Sequence, residues 1–309
     1  MRTIHEVQQA VLRLKAETGV CILAHSYQSP EILEVADITG DSYKLSAAAS
    51  ESSAEKLLVC GVHFMAETAK LLNPEKAVYE ANALAGCPMA EQFSPAEILA
   101  EKEKIGDCAV VAYVNTTAAV KAVSDVCVTS SSAVEIVKRM PQKEILFIPD
   151  CNLGGFVQSK CPEKTLHFMQ GGCPYHSGIT LAEAERARAQ HPNTKMLVHP
   201  ECKPQISAMA DYVGATSGII AYAKQSDAAE FIIGTEISIV MYLQLACPEK
   251  RFYPISTRLI CPDMRITTLS DLERVLTEIK ADTANTLEIP ADTASKARRC
   301  LDEMLRLGG

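Results

Sequence analysis

Residues suited to proton transfer and anion binding recur along this chain at fixed intervals. His25, Tyr113 and His199 each close a short apolar run, within ILAHSYQ, VVAYVNT and MLVHPEC. Two residues further on stand Tyr27, Asn115 and Glu201. Asp37, Asp125 and Asp211 follow the first set by 12 residues, and Ser42, Ser130 and Thr216 follow it by 17. Imidazole, phenol and carboxylate are proton-shuttling groups. Hydroxyls at the start of a helix, beside its unpaired N–H groups, bind carboxylate or phosphate. The set reads as acid–base chemistry on a polyanionic small molecule.

A second repeat runs in step with the first. Pro74-Glu75-Lys76, Pro162-Glu163-Lys164 and Pro248-Glu249-Lys250 are spaced 88 and 86 residues apart, and Cys87, Cys173 and Cys261 follow the prolines by 13, 11 and 13. Three thiolates from three like units describe a three-cysteine zinc site, a three-cysteine iron–sulfur site, or no metal site at all. Structural zinc normally takes four ligands, paired at short spacing. A [4Fe–4S] cluster normally takes four cysteines, so three would leave one iron open as a Lewis acid. His176, three residues after Cys173, is placed beside that thiol by sequence alone. Cys202, next to Glu201, is either a cavity-lining thiol or a buried one. The remaining cysteines read as small buried hydrophobes.

Elements that position these residues follow from the apolar pattern. Each unit shows an apolar run, polar residues and a helical stretch, then a second apolar run: LLVCGV, ILFIPD or FIIGTE. This is the pattern of buried parallel strands alternating with helices. The predicted fold is α/β: three similar three-layer αβα domains with small parallel sheets, related by a pseudo-threefold axis around a central cavity. Domain 1 is expected over 1–88 plus 263–309, domain 2 over 89–174 and domain 3 over 175–262. Ligands of such sheets sit off the carboxyl ends of the strands, where Glu67, Asp150 and Glu236 also fall. Gly40-Asp41-Ser42, Thr129-Ser130-Ser131 and Gly214 to Ser217 read as loop-to-helix junctions. Helices are predicted over 269–279 and 293–307, packed on the first unit.

Composition excludes several function classes. Net charge is −8, with 22% charged residues and no Lys/Arg-rich run, which argues against a nucleic-acid-binding surface. The longest apolar stretch, Phe231 to Leu245, is broken by Glu236 and is too short for a membrane span. Twelve cysteines without a secretion signal point to a reducing, cytoplasmic setting and against a disulfide framework.

The ordered segments HSYQ, VADITGDSYKLS, GVHFMAETAKLL, AGCPMAE, YVNTTAAVKA, VTSSSA, PDCNLG, GGCPYH, HPEC, GTE and CPDM resemble the quinolinate synthase family of de novo NAD biosynthesis, in its shorter form. The resemblance runs from about residue 20 to about residue 270. It implies a transferase that condenses iminoaspartate with dihydroxyacetone phosphate to quinolinate, phosphate and two waters. It implies a [4Fe–4S] cluster held by Cys87, Cys173 and Cys261. The implied substrate-binding residues are His25, Ser42, Tyr113, Asn115, Ser130, His199, Glu201 and Thr216. Tyr27 and His176 match family active-site positions. Glu201 is the expected general base or acid, with Tyr27, His25 and His199 as partners. Functional coupling to the enzyme that supplies iminoaspartate is also implied. Ser26 and Ser132 stand where the family usually has Asn, and YEANALAGC lacks the expected proline before Cys87. Two rival readings are a different iron–sulfur dehydratase and a non-enzymatic iron–sulfur sensor. The hydroxyl junctions together with His25, His199 and Glu201 disfavour the sensor.

Overall fold

Three repeats of one helix–strand pattern make up most of the chain in the computed structural model, which describes residues 2–308. The first repeat runs α1 (Ile4–Thr18), β1 (Val20–His25), α2 (Pro30–Leu33), β2 (Ile38–Gly40), α3 (Ser42–Glu51), β3 (Lys56–Cys60), α4 (His63–Leu72) and β4 (Ala77–Glu80). The second runs α5 (Pro95–Ile105), β5 (Ala109–Tyr113), α6 (Ala118–Lys121), β6 (Val126–Val128), α7 (Ala133–Arg139), β7 (Glu144–Ile148), α8 (Cys151–Lys160) and β8 (Thr165–Phe168). A short α9 (Pro174–Ser177) precedes the third repeat. That repeat runs α10 (Leu181–Gln190), β9 (Lys195–Val198), α11 (Pro204–Ser207), β10 (Tyr212–Val213), α12 (Thr216–Gln225), β11 (Glu230–Gly234), α13 (Ser238–Ala246) and β12 (Arg251–Pro254). The tail adds α14 (Pro262–Arg265), α15 (Leu269–Lys280) and α16 (Ala291–Gly308).

Each repeat builds one four-stranded parallel sheet among the described residues, in the orders β2-β1-β3-β4, β6-β5-β7-β8 and β10-β9-β11-β12. The fold is therefore α/β, as the alternation predicted. β1 and β5 are buried along their whole length. Helices cover both faces of such sheets, so the strands read as continuous apolar runs rather than as alternation. In each sheet the chain order reverses between the first and third strands, and ligands of open α/β sheets sit at that switch. His25 ends β1, Tyr113 ends β5 and His199 follows β9 directly.

Capping boxes start the first helix of every repeat. Thr3 pairs with Glu6, Ser94 with Glu97 and Thr180 with Glu183, each side chain accepting from or bonding to the other's backbone N–H. Gly19 ends α1 at φ 67°, a left-handed conformation that a residue with a Cβ adopts at a cost.

The repeated aspartates are structural braces. Asp37 Oδ2 accepts from Ile22 N at 2.8 Å, Asp125 Oδ2 from Val110 N at 2.7 Å and Asp211 Oδ2 from Met196 N at 2.8 Å. In return each aspartate N–H donates to the carbonyl of the same strand residue. The loop that enters each edge strand is thereby tied to the central strand.

The chain divides into two compact units. The first comprises residues up to Cys87 together with Pro262–Ala294, and the second comprises Pro88–Cys261 and the residues from Ser295 onward. In the first unit α15 lies along α1, and Leu272, Leu276 and Ile279 join Val11, Ile22 and Leu58 in one core. The second unit holds the sheets of the second and third repeats, and Met196, Val198, Ile206 and Ile232 form the heart of one of its cores. The tail was expected on the first unit throughout. From Ser295 it instead packs within the second: Cys300 Sγ lies 3.0 Å from Cys127 Sγ on β6, and Arg139 Nη1 on α7 donates to Leu307 O at 2.6 Å. The apolar stripe of α16 set its period but not its partner.

Candidate active site

Glu201 is the centre of a buried polar cluster in the second unit. It sits in the turn after β9 and is only 4% exposed. Tyr113 Oη donates to Glu201 Oε1 at 2.8 Å, and His176 Nδ1 lies 2.9 Å from Glu201 Oε2. His199 Nδ1 lies 3.8 Å from Oε1 and accepts from Glu201 N at 3.4 Å. Asn152 Nδ2 donates to the backbone carbonyl of Glu201 at 3.1 Å. The rings of His176 and His199 are 5.0 Å apart.

Burial opposes charge on Glu201. His199, His176 and the phenol of Tyr113 outweigh it together, and the carboxyl is held down at about 2. Burial likewise opposes charge on His176, but the Glu201 carboxylate beside it raises its pKa overall. Asp150 shows the opposite balance. Buried, and facing the charge of Glu201, its carboxyl is pushed up to about 7. One cluster thus holds carboxyls of very different acidity, which is the electrostatic pattern of an acid–base site.

Cys173 adjoins this cluster. His176 Nδ1 lies 3.2 Å from Cys173 Sγ, and its Nε2 lies 3.0 Å from Thr235 Oγ1. Cys173 N donates to Asp150 Oδ2 at 3.0 Å, while Asp150 Oδ1 caps α8 by accepting from Leu153 N at 2.8 Å. Gln92 clamps the preceding glycine, donating to Gly172 O and accepting from Gly172 N, both at 2.8 Å. A Cβ on Gly171 would lie 2.6 Å from Pro149 O, so the backbone approaches too closely there for a side chain. Donor atoms of Cys173, His176 and Glu201 lie within 4.8 Å of one another.

The structure therefore brings Tyr113, Cys173, His176, His199 and Glu201 together. Asn115, two residues past β5, has a buried Oδ1 with no hydrogen-bond partner among the described residues. Thr216 is the first residue of α12 and is buried. Ser130 lies in the turn before α7, where Thr129 Oγ1 hydrogen-bonds to Ser131 Oγ and to Ser132 Oγ. Cys261 stands directly before α14.

In the first unit, Tyr27 N donates to His25 Nδ1 at 3.1 Å, the arrangement seen again at Glu201 and His199. The two rings meet edge to face, 4.4 Å apart. Ser42 opens α3, whose N-terminus Asp41 caps by accepting from Lys44 N. Cys87 closes the sequence-contiguous part of this unit.

Some readings change. Glu67 lies within α4 rather than at a strand end. Cys202 is buried, bonds to Gly234 O at 3.4 Å and is pushed far above the usual thiol range by burial, so it is packing. Asp150, placed by sequence at a ligand-facing strand end, belongs to the site's support, together with Asn152, Thr235 and Gln92, which the sequence alone did not single out. The PDCN and GTE segments carried Asp150, Asn152 and Thr235, and Gln92 follows AGCPMAE, but nothing local distinguishes a residue that braces a site from one that caps a helix.

Residues 9–306 match the family described as Quinolinate synthetase A protein. The chain is 44% identical over 295 residues to the quinolinate synthase of Clostridium kluyveri, covering 96% of each chain. It is 42% identical over 301 residues to that of Geobacter metallireducens, covering 97% of each. It is 42% identical over 306 residues to that of Thermodesulfovibrio yellowstonii, covering 99% of this chain and 98% of the relative. Matched over nearly its whole length by the family model and by these relatives, the chain belongs to the quinolinate synthase family.

Proposed function

We propose that the chain condenses iminoaspartate with dihydroxyacetone phosphate to give quinolinate, with release of phosphate and two waters. We further propose a [4Fe–4S] cluster held by Cys87, Cys173 and Cys261, one cysteine from each repeat, and a cytoplasmic setting in which iminoaspartate comes from the enzyme that makes it. The family membership supports the product. The observation that carries the mechanism is the buried Glu201 carboxylate with Tyr113, His176 and His199 around it and the Cys173 thiol alongside.

The donor chemistry at Cys173 fits the cluster. A thiolate suits iron–sulfur chemistry, and Asp150 holds its backbone while His176 borders its sulfur. When bound, a cluster with three protein thiolates supplies one open iron as a Lewis acid.

Side chains do the rest. Glu201 accepts or returns a substrate proton at Oε1 or Oε2, and Tyr113 and His176, each bonded to one of these oxygens, relay it. Asn115 Oδ1, buried and lacking a donor among the described residues, accepts from a substrate hydroxyl or N–H. Ser42, Ser130 and Thr216 bind the carboxylates and the phosphate. His25 and Tyr27 act as further proton partners.

The test is an anaerobic assay for quinolinate with protein reconstituted with iron and sulfide, supplied with both substrates. Quinolinate is expected, and Glu201→Gln should keep the absorption of the cluster while losing about 10²-fold or more in kcat, as expected when a general acid–base group is removed. No quinolinate from cluster-loaded protein would overturn the reading.

A further inference from the structure

The three Pro-Glu-Lys strings occupy the same turn in each repeat, between α4 and β4, α8 and β8, and α13 and β12. Proline and glutamate face solvent in every copy, while the lysine turns inward. The turn is closed alike each time: Lys76 N donates to Asn73 O, Lys164 N to Cys161 O and Lys250 N to Cys247 O, at 3.0–3.1 Å. The ammonium groups then reach across to another helix. Lys76 Nζ donates to Ala49 O at 2.9 Å and Ser52 O at 2.6 Å, at the end of α3. Lys164 Nζ donates to Met140 O and to Gln142 O, just past α7. Lys250 Nζ donates to Ala223 O at 2.8 Å, Lys224 O at 3.4 Å and Ser226 O at 2.6 Å, at the end of α12.

α3 begins at Ser42 and α12 at Thr216, while α7 begins at Ala133, three residues past Ser130. The last carbonyls of a helix lack intrahelical partners and carry its partial negative charge. An ammonium held there satisfies them and fixes the helix at that end. A helix of this length is stiff, so its opposite end is fixed as well.

We infer that Lys76, Lys164 and Lys250 are positioning residues for anion recognition: each pins its helix from the carboxyl end and so sets where Ser42, Ser130 or Thr216 presents its hydroxyl. The inference rests on the reading of those hydroxyls as substrate-binding groups. The lysines touch no substrate and act only through their helices.

Lys250 offers the sharpest test. In the cluster-loaded enzyme, Lys250→Met should raise the KM for one substrate roughly two- to fivefold, the size expected of a charge at a helix terminus, with a smaller change in kcat. Hydrogen–deuterium exchange should quicken at both ends of α12. Lys250→Arg should recover most of the KM. Thr216→Ala is run beside it. A raised KM for Thr216→Ala with an unchanged KM and unchanged first-turn exchange for Lys250→Met overturns the inference while leaving the substrate reading intact. An unchanged KM for Thr216→Ala overturns the substrate reading of Thr216, and the inference with it. Should Lys250→Met not fold, Lys250→Gln is read by the same two measurements, with the same outcomes deciding.

Discussion

Tyr113 Oη and Glu201 Oε1, 2.8 Å apart, join the end of β5 to the turn after β9. The bond is charge-assisted and buried, and it helps hold Glu201 far below the ordinary carboxylate range. Tyr113→Phe should therefore cost about 1.5–3 kcal/mol of stability, the range for hydrogen bonds to charged groups, read by denaturant unfolding. It should also move the acidic limb of the pH–rate profile upward. An unmoved limb would show that Tyr113 does not tune Glu201.

Acid sensitivity should come partly from Glu183. Arg258 Nη2 meets its Oε2 at 2.7 Å, and Ser256 Oγ and Thr180 also bond it. The Arg258 bond leads in holding its carboxyl well below the usual value of 4.5, against a smaller opposing effect of burial. A folded value below the unfolded one means stability that is present above about pH 4.5 and is lost as pH falls toward the folded value. Because Arg258 is 66% exposed, the contribution is about 1 kcal/mol or less. Glu183→Gln should flatten the fall in unfolding free energy below pH 4.5. An unchanged acid slope would contradict this.

The braces should be worth more than surface ion pairs. Asp211→Ala leaves Met196 N without its partner and removes the contacts to Lys195 and Arg188. A loss of about 2 kcal/mol is expected for a buried donor left unsatisfied, measured as a shift in urea midpoint. Asp37→Ala and Asp125→Ala should give similar losses.

The tail's docking can be read chemically. With Cys127 and Cys300 sulfurs 3.0 Å apart, a thiol oxidant such as diamide should take two electrons and two protons from the pair and link it. Peptide mass spectrometry should find that link and lose it in Cys300→Ser. Absence of the link in the parent protein would refute the packing of α16 on β6.

Much of this architecture was legible in the residue pattern because local and global signals agree. The apolar runs ending at His25, Tyr113 and His199 are fully covered strands, and their length and composition suffice to mark them. The edge strands β2, β6 and β10 are two or three residues long, too short for any periodicity. Thr3-Glu6, Ser94-Glu97 and Thr180-Glu183 carry the capping-box pattern, a helix-start signal independent of the apolar runs. Asp37, Asp125 and Asp211 were found by spacing, but spacing alone does not tell a brace from a catalytic carboxylate. That distinction lies in whether the oxygens face a backbone N–H of the same sheet or another side chain. Asp150 was placed at a strand end, but its role was not legible for a related reason: its environment is made by Glu201 and Cys173, both distant in sequence.

The pairing of the first helix with one of the last has a consequence for synthesis. Arg2 meets Glu273, and Glu17 meets Lys280 across a separation of 263 residues. On the ribosome, α1 and the apolar face of its sheet therefore emerge long before α15 exists to cover them. Both units wait for the tail: the first for α15, and the second for α16, which packs against β6 and α7. Contacts of such long separation form slowly, and until they do the apolar face of α1 is open to aggregation and to chaperones.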